Sequence, residues 1–196
     1  MTWPFAELRP LSFGAIIADP PWKFELYSEK GIGKAPQAQY ACMELDEIRA
    51  LPVQQLASRH CVLGLWATSP MLPDQLDVMK CWGFRYCGFI AWGKMTRRGK
   101  INVGGGYRLR SSAELLLVGT LGDPPRNHAV VRNLVLSQER GHSRKPDEQY
   151  DIMEALAPGQ LCAELFARQR IGRPHWFHWG NEVGKFAAAG ETERAA

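Results

Sequence analysis

The sequence predicts an α/β fold, in which a doubly wound sheet carries helices on both faces. Short apolar runs bounded by turn residues recur along the chain, and they are continuous rather than alternating, which is typical of strands covered on both sides. Segments with helical patterns lie between the runs, and this alternation favours a doubly wound sheet. The apolar runs are residues 15–18, 61–66, 89–92, 115–118 and 161–166, and the helical segments are about 45–51, 70–82 and 146–157.

Length and composition predict one packed domain. The chain has 196 residues, of which 45% are hydrophobic and 22% are charged, so a folded core is expected rather than global disorder. No uninterrupted apolar run is long enough to span a membrane, and the first residues lack the basic and apolar regions of a secretory signal. We expect a folded domain over residues 1–184 and a flexible, Ala- and Glu-rich tail over residues 185–196.

Cysteine usage indicates reduced thiols in a cytoplasmic protein. The chain has five cysteines, an odd number, and none forms a CxxC pair. This pattern does not predict a disulfide framework or a zinc site. His175 and His178 lack a further ligand at useful spacing, so they also predict no metal centre.

Positive charge is concentrated in the middle of the chain. Residues 94–145 contain eleven Lys and Arg against three acidic residues, for a net charge of +8, whereas the remaining residues sum to −4. Such segregation is typical of proteins that bind a phosphate-bearing partner. A solvated basic loop without a partner is the alternative. Between Lys94 and Arg110, six cations and three consecutive glycines predict a mobile loop that clamps nucleic acid. The six cations are Lys94, Arg97, Arg98, Lys100, Arg108 and Arg110.

The sharpest motif is Asp19-Pro20-Pro21-Trp22, directly after the first apolar run. Two prolines remove two N–H donors and hold this corner extended, so it offers a carboxylate and backbone carbonyls beside an aromatic ring. Ligands of open α/β sheets bind beyond the carboxyl ends of the strands. The motif therefore suits a planar group that stacks on Trp22 and donates both hydrogens of an NH₂ to Asp19 and the Pro20 carbonyl.

A second copy of the first three letters occurs at Asp123-Pro124-Pro125, followed by Arg126 instead of an aromatic residue. Without the aromatic ring, this copy is interpreted as a simple turn.

Lys145 precedes a predicted helix at an unusual position. Pro146 suits the first helical position, which would place Lys145 at the N-cap, where Ser, Thr, Asp or Asn normally serves. A bound carboxylate or phosphate would explain a lysine there. The alternative is a solvated lysine in a basic loop.

Polar residues also follow the later strands. Glu164 lies near the end of the run 161–166, and acids are rarely buried without a partner, so it is either a structural ion-pair member or directed at a ligand. Asn181 and Glu182 follow the aromatic run 175–179. They could hold sugar hydroxyls or merely shape a turn.

The sequence resembles the MT-A70 family of N6-adenine methyltransferases. The resemblance covers residues 13–184 and is carried by motifs in family order: Ala18-Asp19-Pro20-Pro21-Trp22, Leu65-Trp66-Ala67-Thr68, Lys145-Pro146-Asp147-Glu148, Glu164-Leu165-Phe166-Ala167-Arg168 and Gly180-Asn181-Glu182. It implies a Rossmann-like class I methyltransferase fold with a mixed, mostly parallel sheet, helices on both faces and permuted motifs, in which the DPPW motif precedes the cofactor strand. It also implies S-adenosylmethionine as the methyl donor and no metal.

The resemblance assigns roles residue by residue. Asp19, Pro20, Pro21 and Trp22 would hold the target adenine, and Asp19 would also contact the cofactor's amino group. Lys145 would hold the methionine carboxylate. Ribose contacts would come from Arg168, Asn181 and Glu182, and Tyr40 would lie at the rim of the active site. Glu164, Phe166 and Arg170 complete the expected cofactor-binding set; Arg170 stands where relatives often carry His, and Glu182 where some carry Gln.

The expected function is transfer of a methyl group to N6 of adenine in nucleic acid, with DNA favoured over RNA. Two alternatives stay open. A protein glutamine N-methyltransferase would present a similar planar NH₂, but that class usually has Asn in the motif and the cofactor strand before it. A non-catalytic nucleic-acid-binding subunit would bind no cofactor. No membrane partner is expected, and homodimer and heterodimer both stay open.

Overall fold

A computed structural model describes residues 3–23, 42–106, 108–125 and 130–185 of the chain. Within them, seven strands form one sheet in the order β5-β3-β4-β2-β1-β6-β7. The strands are β1 (Phe13–Ala18), β2 (Ala57–Ala67), β3 (Arg85–Met95), β4 (Ala113–Leu121), β5 (Leu134–Gln138), β6 (Cys162–Leu165) and β7 (Trp176–Trp179). The helices are α1 (Leu45–Arg49), α2 (Leu72–Cys81) and α3 (Glu148–Leu156), with 3₁₀ turns at Val53–Gln55, Ser69–Met71 and Gly141–Ser143.

Strand direction decides which residues meet at each edge of the sheet. β4 is antiparallel to its neighbours β2 and β3, whereas the other neighbouring pairs are parallel. The carboxyl ends of six strands therefore share an edge with the amino end of β4. We call this the carboxyl edge. The predicted mixed, mostly parallel sheet is confirmed.

Helices cover both faces of the sheet, as predicted. On one face, Ile48 of α1 and Val78 of α2 pack with Leu63 and other residues of the sheet. On the opposite face, Tyr150 and Met153 of α3 belong to a separate core cluster. All six residues of β1 are buried because this strand is central and covered on both sides, which explains its unbroken apolar sequence.

The structure corrects two expectations about the elements. β5 was not predicted, because it is a short edge strand whose exposure alternates and whose Leu134 and Leu136 are exposed. α3 begins at Glu148 with Asp147 as its N-cap, so Lys145 is not the N-cap residue. Among the described helices, none has the length and apolar character needed to cross a membrane.

Candidate active site at the carboxyl edge

A pocket opens at the carboxyl edge between the ends of β1, β2 and β6 and the start of α3. Its lining combines two carboxylates, three cations, two amides, a phenol and two aromatic rings. These side chains come from segments far apart in the sequence, which the parallel strands bring to one edge. The lining residues are Ile17, Asp19, Trp66, Ser143, Arg144, Lys145, Gln149, Tyr150, Glu164, Phe166, Arg168 and Gln169.

The Asp-Pro-Pro-Trp corner follows β1 directly and is anchored by its backbone. The N–H of Asp19 donates to the carbonyl of Leu165 at 3.4 Å, which extends the pairing of β1 with β6. The Pro20 carbonyl accepts the N–H of Trp22 at 2.8 Å, and the Pro21 carbonyl accepts the N–H of Met43 at 3.0 Å. The expectation of free carbonyls is thus corrected: each already accepts one hydrogen bond, and one lone pair of each remains for a ligand.

Trp22 is the second correction at this corner. Its side chain is 4% exposed and belongs to the core that contains α1 and α2. Its indole N–H donates to the carbonyl of Trp66 at 3.2 Å. In this structure Trp22 is therefore not an open surface for stacking; it ties the motif to the end of β2.

Lys145 lies at the centre of the charge arrangement. Its ammonium is 3.0 Å from Asp19 Oδ2 and 3.1 Å from Glu114 Oε2, and it lies over the Trp66 ring at 5.4 Å from the centroid. Burial disfavours the charged lysine, but Asp19 and Glu114 more than offset this, so the pKa of Lys145 is raised. Its position is explained by these two carboxylates rather than by a helix terminus.

Glu114 is a site residue that the sequence analysis missed. It lies near the amino end of β4, which the antiparallel direction brings to the carboxyl edge. Burial would raise the pKa of Glu114, but Lys145 and Lys94 lower it below its ordinary value. A charged residue immediately before an apolar run was the available signal.

Lys94 has a different place from the one expected. Its ammonium is 2.6 Å from Glu114 and 3.1 Å from Glu139, and its side chain is 12% exposed. These two carboxylates engage Lys94 inside the protein. We therefore separate Lys94 from the exposed cations that follow it.

Arg168 continues the charge arrangement on the other side of Asp19. Its guanidinium is 3.9 Å from Asp19 Oδ2 and 3.9 Å from Glu182 Oε2. Glu182 also pairs with Lys185 at 2.6 Å. Of the remaining predicted cofactor residues beyond β6, Asn181 and Arg170 are exposed. Charges of alternating sign therefore extend along the edge from Glu114 through Lys145, Asp19 and Arg168 to Glu182.

Glu164 faces the pocket from β6. It accepts a hydrogen bond from the Tyr150 hydroxyl at 3.0 Å, and the Gln169 amide donates to the same hydroxyl at 3.2 Å. Burial, together with the nearby charge of Asp19, raises the pKa of Glu164 to about 7, against the hydrogen bond from Tyr150. His178 lies 3.8 Å away; burial and Arg170 lower its pKa to about 4, so it is neutral near pH 7. Tyr150 and Gln169 were not predicted.

Two pocket residues have strained backbones. Ser143 has φ of 57° and Phe166 has φ of 62°, a region that residues other than Gly, Asn and Asp seldom adopt. Phe166 directly follows β6, and a Cβ at Gly180 would lie 2.9 Å from its carbonyl carbon. Such strain is typical of functional sites.

The predicted basic loop leaves the sheet between β3 and β4. Thr96 to Lys100 form a tight turn, in which the Thr96 N–H donates to the Lys100 carbonyl at 2.7 Å. Five cations of this loop are exposed: Arg97, Arg98, Lys100, Arg108 and Arg110.

Tyr40, expected at the rim of the site, lies outside the described residues. Among the described residues, no group of three His, Cys, Asp or Glu side chains is arranged to hold a metal ion.

The similarity to known proteins covers most of the chain. The MT-A70 family model matches residues 13–182. An MT-A70-like protein of Medicago truncatula is 34% identical over 185 residues, which cover 93% of this chain and 28% of that protein. The N(6)-adenosine-methyltransferase catalytic subunit METTL3 of Homo sapiens is 29% identical over 174 residues, or 87% of this chain and 28% of the human protein.

A relative of more similar length is the Type II methyltransferase M.MunI of Mycoplasma sp. It is 29% identical over 199 residues, which cover 91% of this chain and 81% of that protein. The chain therefore spans little more than a quarter of the plant and human relatives, but about four fifths of the Mycoplasma protein.

Proposed function

Because the chain belongs to the MT-A70 family, we propose that it transfers a methyl group from S-adenosylmethionine to N6 of adenine in nucleic acid, with DNA favoured over RNA. The observation that carries this proposal is the Lys145–Asp19 ion pair in a pocket directly after the DPPW corner. It combines an acceptor for an amine with a cation for a carboxylate at one point.

The side chains of the pocket suit S-adenosylmethionine. The cofactor, when bound, supplies a methyl group made electrophilic by a positively charged sulfur. Asp19 would hold the cofactor's ammonium, and Lys145 its carboxylate. An ammonium has three N–H donors, of which Lys145 directs two at Asp19 and Glu114, so one remains for the ligand.

Other residues at this edge would hold the rest of the cofactor. Arg168, Asn181 and Glu182 would contact the ribose hydroxyls, since they lie beyond the ends of β6 and β7. Glu164, Phe166 and Arg170 are the remaining candidates. Glu164 and Phe166 line the pocket, whereas Arg170 is exposed next to it.

The corner itself would activate the target amine. The N6 lone pair of adenine is delocalised into the ring, and it becomes available when its two hydrogens are held out of the ring plane. Asp19 and the Pro20 carbonyl are acceptors at fixed positions, because the prolines and the backbone hydrogen bonds of Trp22 and Met43 hold the corner. Catalysis would then come from positioning and preorganised acceptors.

Exposed cations would hold the nucleic acid beside this pocket. Arg97, Arg98, Lys100, Arg108 and Arg110 are all exposed on the loop that leads into β4, whose amino end carries Glu114. Phosphate contacts from such side chains position a nucleic acid without reading its sequence. DNA is favoured because M.MunI, a relative matched over about four fifths of its own length, is named a Type II methyltransferase.

RNA is the second candidate substrate, because several relatives are named N(6)-adenosine-methyltransferases. Transfer of radiolabelled methyl groups to matched DNA and RNA oligonucleotides, single- and double-stranded, separates the two. We expect label in DNA containing adenine and none in an adenine-free strand of equal length. Faster labelling of RNA would reverse the substrate preference.

A peptide substrate and a cofactor-binding measurement distinguish the two other functions. Label in a glutamine-containing peptide, with none in either nucleic acid, would assign the site to amide methylation. Absence of S-adenosylmethionine binding in calorimetry would assign the chain to a non-catalytic subunit.

A further inference from the structure

Leu109 presents a large apolar side chain to solvent. It is 83% exposed and lies between Arg108 and Arg110, which are also exposed. Any partner that binds these two cations would also meet the apolar side chain of Leu109. The positive flanks indicate a polyanion as that partner.

The loop that carries Leu109 is closed by its own backbone. The Gly104 N–H donates to the Ser111 carbonyl at 2.8 Å, and the Ser111 N–H donates to the Gly105 carbonyl at 2.9 Å. We call residues 104–106 and 108–111 the tip loop. Gly106 has φ of 144°, and a Cβ there would overlap the Leu109 carbonyl oxygen. Only glycine suits that position, because any side chain there would overlap the backbone that carries Leu109.

The tip loop lies near the candidate active site because it leads directly into β4. Leu109 precedes Glu114 by five positions, so their Cα atoms lie within about 18 Å of each other even if the chain between them is fully extended. Glu114 is bonded to Lys145, which lines the pocket. Leu109 and the site that would accept adenine are therefore within one nucleic-acid footprint.

A methyltransferase that acts on duplex DNA must move its target base out of the stack. Apolar side chains such as Leu insert between base steps in proteins that unstack DNA, while neighbouring cations hold the phosphates. We propose that Leu109 inserts into duplex DNA beside the target adenine and stabilises the duplex from which the base has been extruded, with Arg108 and Arg110 on the flanking phosphates. This inference rests on the proposed function.

The decisive measurement is the ratio of methylation rates on duplex and single-stranded DNA of the same sequence. Leu109→Ala should lower this ratio at least about tenfold, because a single strand has no stack to open. Leu109→Met, which keeps a long apolar side chain, should restore it to within about threefold of wild type. Leu11→Ala is the matched control: Leu11 is 72% exposed but precedes β1, at the opposite edge of the sheet, and should leave the ratio unchanged.

A fluorescence readout keeps the test independent of catalysis. With 2-aminopurine in place of the target adenine, binding of the wild-type protein to a duplex should raise the fluorescence, and Leu109→Ala should lose most of that rise. An equal loss of activity on both DNA forms, no change in the ratio, or an unaltered fluorescence rise would overturn the proposal. Loss of self-association in Leu109→Ala with an intact ratio would also overturn it, by assigning the tip loop to a protein contact.

Failure of the proposed function would give a different pattern. Wild-type protein without methyl transfer to any nucleic acid would contradict the activity, while the fluorescence rise would still report whether Leu109 opens a duplex.

Discussion

Two Asp-Pro-Pro sequences in one chain have different surroundings because they follow strands of opposite direction. Asp19 follows β1 and reaches the carboxyl edge, where its Oδ2 is 3.0 Å from Lys145 and 3.9 Å from Arg168. Asp123 follows β4, the antiparallel strand, at the opposite edge. There it is exposed, and its backbone N–H donates to His60 Nδ1 at 2.9 Å.

The same three residues therefore form a charged corner of a pocket in one place and a largely exposed segment in the other. The tripeptide sets the stiffness of the corner through its prolines, whereas the sheet topology decides what the carboxylate faces. A motif at the end of a strand carries functional information only together with the direction of that strand.

The largest expected effect comes from a substitution at Asp19, in the first of the two Asp-Pro-Pro sequences. Asp19→Asn should lower methyl transfer about a thousandfold. The amide can present a donor where an acceptor is needed, and the substitution removes a charge that faces Lys145. The lost charge-assisted bond and the unsatisfied group together cost several kcal/mol. Methyl incorporation into an adenine oligonucleotide measures the effect. The melting temperature should stay within a few degrees, since Lys145 keeps Glu114 as a partner.

Asp123→Asn is the matched substitution at the second copy. We expect its transfer rate to stay within about twofold of wild type, because the side chain is exposed at the opposite edge. Turnover of Asp19→Asn within tenfold of wild type, or an equal loss in both variants, would remove Asp19 from the mechanism.

The next effect concerns the cation that distinguishes the first corner. Lys145→Ala should weaken S-adenosylmethionine binding by about 1.5–3 kcal/mol, the size of one charge-assisted hydrogen bond, as measured by titration calorimetry. Lys94→Ala is a close control, since Lys94 shares the Glu114 carboxylate but pairs with Glu139 rather than Asp19. Equal affinity losses in the two variants would show that only the charge balance around Glu114 matters.

Much of the fold could be predicted from the local sequence pattern, but the direction of each strand, and with it the set of residues at the carboxyl edge, could not. The continuous run 15–18 identified a buried strand, and the residues after it identified Asp19. The run 115–118 identified a strand equally well, but an apolar run does not give strand direction. The direction of β4 is set by its long-range pairing with β2 and β3, and only that pairing brings Glu114 to the site.

Lys145 and Trp22 show the same limit for single residues. A helix-terminus argument predicts Lys145 at the site, whereas its partners are Asp19, directly after β1, and Glu114 in β4, both distant in the sequence. The sequence predicts a stacking surface at Trp22 because an aromatic ring stands beside the proline corner, yet this ring is buried in the core cluster that includes residues of α1 and α2. Local rules located both residues near the site but could not give their partners, because tertiary contacts decide them.

A smaller effect extends the comparison to the loop between β3 and β4. If Arg97 and Arg98 contact phosphates, replacing both with Ala should reduce the slope of log affinity against log salt concentration by about 1.4 to 1.8, near 0.7–0.9 per contact. A filter-binding series with one DNA strand measures this slope. Replacing Arg9, which is exposed before β1, should leave the slope unchanged, and an unchanged slope in the double variant would show that the loop is merely solvated.

The smallest expected effect concerns the second carboxyl group of the pocket. Burial raises the pKa of Glu164 from 4.5 to about 7, so the folded protein holds this proton more tightly than the unfolded chain does. The associated stability is complete below pH 4.5 and is lost as the pH rises through about 7. Above that range, Glu164 carries a charge in a buried position, where the Tyr150 hydroxyl donates a hydrogen bond to it.

Glu164→Gln should remove this dependence, because the amide keeps an acceptor for Tyr150 without a charge. Its free energy of unfolding relative to wild type should rise between pH 5 and pH 8, by on the order of 1–2 kcal/mol, in urea titrations at each pH. Glu7→Gln, at an exposed carboxyl before β1, should show no such trend. A difference between Glu164→Gln and wild type that stays constant across this range would mean that Glu164 is charged in the folded protein throughout. Tyr150 would then donate to a carboxylate rather than to a neutral carboxyl group.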